Sequence, residues 1–334
     1  MYEIWLQRRH LVLFKCAQLV AHACRHSQMS SRFKFAVVQQ QDNHQHVAYQ
    51  SLLDQYREQN MPETPSTKMP TLFIPHGGGP CFFMDWSLMG GPADTWDQTA
   101  AWLRSIPENL PEKPKALLVI SAHWEEDEFT LSTASKPDMI FDYYGFPPHT
   151  YELNYPAPGA PELAKRVSQL ITQQGLPEPR NTDRGFDHGV FVPLLVAFPD
   201  ADIPILTLSL TKDLSPEKHL ILGEALSALR DEGVLIIGSG MSYHNMRAFR
   251  TPAATAPSEE FDHWLTDTIE SDSGDARWNR LSNWLSAPQA RNSHPREEHF
   301  IPLMIAAGAA RDDAGRKIFS DNVMNATVSA FQFG

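Results

Sequence analysis

The sequence predicts a single α/β domain with a central mixed β-sheet flanked by helices, and a metal site at the C-terminal ends of the strands. Short apolar runs bounded by turn residues recur at residues 71–75, 116–122, 204–210 and 234–240, the pattern of strands buried on both faces. Stretches of helical length and period separate them. Three of the runs deliver a histidine as they stop: His76 in TLFIPHGGGPC, His123 in ALLVISAHW, and His244 in VLIIGSGMSYHN. Ligands of open α/β sheets sit beyond the carboxyl ends of the strands, so these imidazoles are placed to converge.

Composition narrows the function. The 334 residues carry a formal charge of −12, which argues against a nucleic-acid partner, and no basic stripe with interleaved aromatics is present. The three cysteines, Cys16, Cys24 and Cys81, form no CxxC or zinc-ribbon spacing, which suits a reducing cytoplasm. No apolar run is long enough to span a bilayer, so no membrane partner is expected. The stretch LVLFKCAQLVAHAC (11–24) is broken by Lys15 and His22, and no small-x-small cleavage site follows; export is not expected.

Residues 1–68 read as a poorly ordered N-terminal extension. They lack glycine, contain the Gln/His-rich patch QQQDNHQH (39–46), and offer only a plausible helix over 45–59. Residues 1–60 carry +3 against −15 for the remainder, and Met61 or Met69 is a natural start. Their five histidines (His10, His22, His26, His44, His46) have no organising pattern.

The domain proper is expected over 69–334. After the first strand, Gly77, Gly78 and Gly79 allow a sharp turn beside His76. The run lacks the Lys-Ser/Thr ending of a phosphate loop and the Rossmann glycine spacing. Residues 92–105 predict a helix with Trp96 and Trp102 as core residues. A strand over 129–135 follows the second apolar run. Residues 137–161 are rich in proline and aromatics and predict an ordered cover, whose rings (Tyr143, Tyr144, Phe146, Tyr151, Tyr155) could wall an apolar pocket. A helix over 161–174 has proline in its first turn and Gly175 at its end. His188, between Asp187 and Gly189, precedes a buried helix. Further helices are expected over 215–231, 258–270, 276–286 and 301–310, with a last strand over 326–334. His299 follows Glu297 and Glu298 just ahead of the helix over 301–310.

Setting aside the isolated His149, His219, His263 and His294 leaves His76, His123, His188, His244 and His299. Imidazole suits Zn, Fe, Ni and Cu, and three facial ligands leave open positions for exogenous ligands. Histidine also serves as base or acid near neutral pH. Spacing alone therefore supports a mononuclear metal site and leaves the reaction open.

The segments IPHGGGP, SAHW, GFP…Y…YPAPG, GFDHG, PDADIP, ALRDEGVLIIGSG…HN and EEHFIPL occur together and in order. In this they resemble the class III extradiol ring-cleavage dioxygenases, in the DOPA 4,5-dioxygenase branch related to the protocatechuate 4,5-dioxygenase catalytic subunit. The resemblance covers about residues 69–334. It implies opening of a catechol-type ring by O₂, with His76, His123 and His299 as metal ligands. It implies His244 as general base, close enough to the metal to count as a fourth ligand, and His188 as the residue that contacts substrate and supplies a proton. Fe(II) is the metal implied for activity, and such sites also take Zn(II). Glu298 is the competing third ligand. A zinc-dependent hydrolase and a non-catalytic peptide-binding adaptor are the alternative functions on this scaffold. The family branch points to a small catechol with a polar side chain.

Overall fold

The computed structural model describes residues 68–334; the expectations for residues 1–67, including the helix over 45–59, lie outside the described residues. Eight strands form one mixed sheet: β1 Thr71–Pro75, β2 Ala116–Glu126, β3 Thr130–Ser132, β4 Arg180–Thr182, β5 Ile205–Thr211, β6 Val234–Gly240, β7 Gly315–Val323 and β8 Ala326–Phe333. Their order is β4-β3-β5-β2-β6-β1-β8-β7. The central strands β5, β2, β6 and β1 are mutually parallel, and β3 and β8 join them antiparallel. The expected mixed α/β sheet is thus present.

Strict alternation explains why the central strands read as continuous apolar runs. Phe73, Leu118, Ile120, Leu206, Leu208 and Ile236 face one core, while Leu72, Ile74, Leu117, Val119, Ile205 and Ile237 face the other. The first core is covered by α2 (Pro161–Gln173), α4 (Pro216–Ala225) and α8 (Ile301–Ala309), and the second by α1 (Asp97–Ser105) and α3 (His188–Ala197). Helices α5 (Thr255–Ser271), α6 (Gly274–Ser282) and α7 (Ala290–Ser293) complete the chain. Gly223 of α4 and Gly308 of α8 let the two helices meet backbone to backbone, since a Cβ at either would overlap the other's carbonyls. Helix α8 is buried on every side, which is why its sequence shows no amphipathic stripe. No helix among the described residues is long and apolar enough to cross a membrane.

Several boundaries move for identifiable reasons. The helix expected over 215–231 stops at Ala225 and continues as a 3-10 turn, Ser227–Arg230. The one expected over 276–286 gives way after Ser282 to a similar turn, Trp284–Ser286. Strands β4 and β7 went unanticipated because both lie at sheet edges and are largely polar. The β7–β8 hairpin closes through Met324 and Asn325, both at positive φ (51° and 67°), a mirror-image turn that matches strand twist. Strand β2 does not end before His123 but runs on to Glu126. Its ladder with β6 ends at Ser121, and its register against β5 shifts between Ile120 and Glu125, so His123 sits in a bulge rather than past the strand.

Candidate metal centre

Each histidine of the site is placed by a different local device. His76 leaves β1 with its N–H donating to Gly240 O at 3.1 Å. Gly77 then turns the chain at φ 84°, where any side chain would be strained and would overlap Cys81 Sγ. His123 is held in its bulge by Arg184, whose Nη2 donates to the His123 carbonyl and to Asp187 Oδ2, both at 3.3 Å. His188 is the first residue of α3, and its N–H donates to Asp142 Oδ1 at 3.0 Å. His244 follows β6, its N–H donating to Ser293 O at 3.0 Å. His299 precedes α8, and its carbonyl accepts the Met241 N–H at 3.0 Å. Gly240 makes that approach possible, because a Cβ there would overlap the same carbonyl.

The five side chains converge. His76 Nε2 lies 3.1 Å from His123 Nε2. The ring centre of His299 lies 5.2 Å from that of His76 and 4.8 Å from that of His123. His188 is 3.9 Å from His123, and His244 stacks on His299 at 3.4 Å. Donor atoms of His76, His123 and His188 lie within 4.8 Å of one another, as do those of His244, Glu298 and His299.

The hydrogen bonds behind the rings assign their tautomers. Ser239 Oγ donates to the Gly189 carbonyl, so it accepts from His76 Nδ1 at 3.2 Å and leaves His76 Nε2 as a lone pair. His188 Nδ1 donates to Asp142 Oδ1 at 2.7 Å, and His299 Nδ1 donates to Glu298 Oε1 at 2.9 Å. His244 Nδ1 faces the same Glu298 oxygen at 3.3 Å. Glu298 therefore stands behind two imidazoles, as carboxylates that orient metal-binding histidines do. Burial and the neighbouring His123 hold His76 well below the usual imidazole range, and burial with His244 does the same for His299. Burial, then His188, lowers His123 to about 3. Burial raises the Glu298 carboxyl, but its contacts with His244 and Arg296 outweigh this and the net shift is down. Neutral, lone-pair imidazoles backed by ionised carboxylates are a donor set that fits a divalent transition metal.

Comparison with known proteins places the chain in a family. The family described as the catalytic LigB subunit of aromatic ring-opening dioxygenase matches residues 70–334. The chain belongs to this family. Dioxygenase tasH of Hapsidospora irregularis is 36% identical over 297 residues, spanning 80% of this chain and 87% of that protein. The 4,5-DOPA dioxygenase extradiol of Beta vulgaris is 42% identical over 229 residues, spanning 66% and 82%, and that of Escherichia coli (strain K12) 34% over 253 residues, spanning 73% and 86%. A crystal structure of an uncharacterized Escherichia coli K12 protein superposes with a TM-score of 0.62 at 27% identity, covering 80% of this chain and all of that one. The protein is an extradiol aromatic ring-opening dioxygenase acting on a small aromatic molecule with O₂ at a non-haem metal. A zinc hydrolase or a peptide-binding adaptor is not favoured by these relatives.

The dioxygenase centre opens into a cavity of about 450 Å³ lined by all five histidines. Its wall departs from expectation. Of the five rings expected from the proline-rich cover, only Phe146 lines it. Tyr143 and Tyr155 are buried, with hydroxyls donating to Thr150 O and Phe198 O, and Tyr144 is exposed. Trp96 is buried in the core as expected and also lines the cavity, with Trp86, Met241, Phe249 and Arg250. Sequence reading missed these, along with Asp142 and Ser239. Asp142 lies three residues ahead of the GFP segment, outside every stretch that carried the resemblance. Among the histidines set aside, His294 is a brace: its Nε2 donates to Ser242 O at 2.9 Å beneath the turn that carries His244.

Proposed function

We propose that the dioxygenase opens a catechol bearing a small polar side chain at an Fe(II) held by His76, His123 and His299, with His244 as general base and His188 as proton donor. The observation that carries this reading is the commitment of Nδ1. Ser239 and Glu298 engage Nδ1 of His76 and His299, so each offers Nε2 to the cavity side. Fe(II) held there would supply the one-electron chemistry with O₂ that side chains lack, whereas Zn(II) has no redox chemistry. The names of the plant and bacterial relatives, which specify DOPA, support a catechol with a polar side chain.

The chain's own residues manage orientation and protons. His244 accepts the proton of the second catechol hydroxyl, with Glu298 offsetting the positive charge this places on the ring. His188 returns a proton to the ring-opened product, and Asp142 fixes the ring for it. The apolar wall formed by Trp86, Trp96, Phe146 and Phe249 holds the flat ring and excludes water.

The test is anaerobic reconstitution with Fe(II) or Zn(II), addition of DOPA, caffeate, protocatechuate or catechol, and then O₂. Iron-loaded protein should give yellow ring-fission product matched by O₂ uptake, and zinc-loaded protein none. Equal turnover with zinc, or no opening of any of these catechols with iron, would overturn the proposal.

A further inference from the structure

We propose that Arg250 is the specificity residue of the cavity, binding a carboxylate on the catechol side chain and so selecting anionic over cationic substrates. The inference rests on the catechol reading above. Arg250 is the one formally charged side chain among the residues lining the cavity; the rest of that wall is imidazole, aromatic, methionine or glycine. Its guanidinium carries five N–H donors. Nη1 donates to Met89 O at 2.8 Å, and no aspartate or glutamate lines the cavity beside Arg250. The group lies 5.7 Å from the centre of the Trp86 ring, itself part of the cavity wall.

The backbone is built to hold this cation in place. Arg250 has φ 68°, a left-handed conformation that residues with a Cβ rarely adopt, and its N–H donates to Met324 O at 2.9 Å. Two neighbouring segments thus fix one arginine: the Trp86–Met89 turn through a side-chain bond, and the β7–β8 hairpin through a main-chain bond. A planar fork with free donors beside an apolar wall matches a carboxylate in a bidentate pair. The same wall contains no aspartate or glutamate to receive an ammonium group. The order of affinity should therefore be caffeate over the DOPA zwitterion, and DOPA over dopamine, a cation.

Zinc-loaded protein permits a binding readout without turnover. Calorimetric titration should give wild-type Kd values that rise from caffeate to DOPA to dopamine, with methyl caffeate, the neutral ester, weaker than caffeate. Arg250→Gln should weaken caffeate about ten- to a hundredfold while leaving methyl caffeate within about twofold. Arg250→Lys should restore part of the loss. Equal wild-type affinity for caffeate and its ester would overturn the inference. A uniform loss for all ligands in Arg250→Gln would also overturn it, making the arginine only a clamp on Met89. If no catechol binds wild-type protein, the catechol reading itself fails, a result distinct from either.

Discussion

Asp142 holds His188 twice through one carboxylate oxygen, which accepts the ring Nδ1–H at 2.7 Å and the backbone N–H at 3.0 Å. Its other oxygen lies 4.0 Å from His123 Nδ1. Burial raises the Asp142 carboxyl, but the His188 bonds outweigh this and hold it below its usual range, so the group is ionised at neutral pH. The proline-rich cover thus reaches the centre through an aspartate as well as through the Phe146 ring.

Asp142→Ala should keep the fold and most of the metal but lower turnover by about ten- to a hundredfold, the usual cost of losing an orienting partner. Steady-state rates and metal content on the same preparation check this. An unchanged kcat would show that His188 needs no orientation for the reaction.

His219 yields a prediction about acid stability. Its Nδ1 donates to Ser215 O at 2.7 Å and its Nε2 accepts the Thr211 N–H at 3.2 Å, so the buried ring is locked neutral. Burial lowers it from 6.5 to about 4. The unfolded chain then binds the extra proton between these values. Stability from this group is complete above about pH 6.5 and is lost as the pH falls toward 4. Between pH 7.5 and 5 this one group should remove about 2 kcal/mol, read as the difference between wild type and His219→Gln. Urea denaturation of metal-free protein should show it, and His219→Gln should lose less over the same interval. His294 and His123, each lowered to about 3, and the buried His76 and His299 keep the rest of the slope in that variant.

What could be read from sequence follows from where a single physical cause dominates. Central strands buried on both faces must be apolar throughout, so Leu117 to Ile120 and Leu235 to Ile237 identify themselves. The convergence of His76, His123 and His244 follows from parallel strands β1, β2 and β6 running to one edge of the sheet, while His299 arrives from the loop ahead of α8. His188 arrives instead at the start of α3, against that edge. Residues whose positions depend on several segments at once were not legible. Asp142 is an ordinary acid in a loop until the fold brings it to His188. Met241, Phe249 and Arg250 lie in an irregular stretch without period. Glu298 was legible only as a rival ligand, because nothing in the order Glu-His tells which side of the imidazole the carboxylate will meet.

The boundary of the domain can be tested by truncation. Arg230, fully buried, donates from Nε to Met69 O at 2.7 Å and pairs through Nη1 with Asp313 at 2.6 Å. That clamp ties the start of β1 to the segment after α8. Removing residues 1–60 leaves it whole, so the shortened chain should remain soluble and retain metal content and activity. Gel filtration and metal analysis decide the matter. Loss of soluble protein would mean that residues 1–60 contribute to the fold.

The two histidines that share Glu298 should separate by function. His299 is buried, its Nδ1 bonds to Glu298 at 2.9 Å, and its carbonyl is fixed by the Met241 N–H, so its ring is rigid. His244 is only half-buried, follows the Met241–Tyr243 turn, and sits 3.3 Å from the same carboxylate oxygen. A fixed ring suits a ligand, and a more accessible one suits a base that cycles between protonation states. His299→Ala should therefore lose tightly bound iron, while His244→Ala keeps most of it and turns over about 10²–10⁴-fold more slowly. That defect should shrink as the pH rises and the catechol ionises unaided. Metal analysis of both variants, with a pH–rate profile for His244→Ala, separates the roles. If His244→Ala loses its iron and His299→Ala retains it, the roles are exchanged and Glu298 becomes the better third ligand. The ring-opening activity would stand, but the base would then have to be sought at His188.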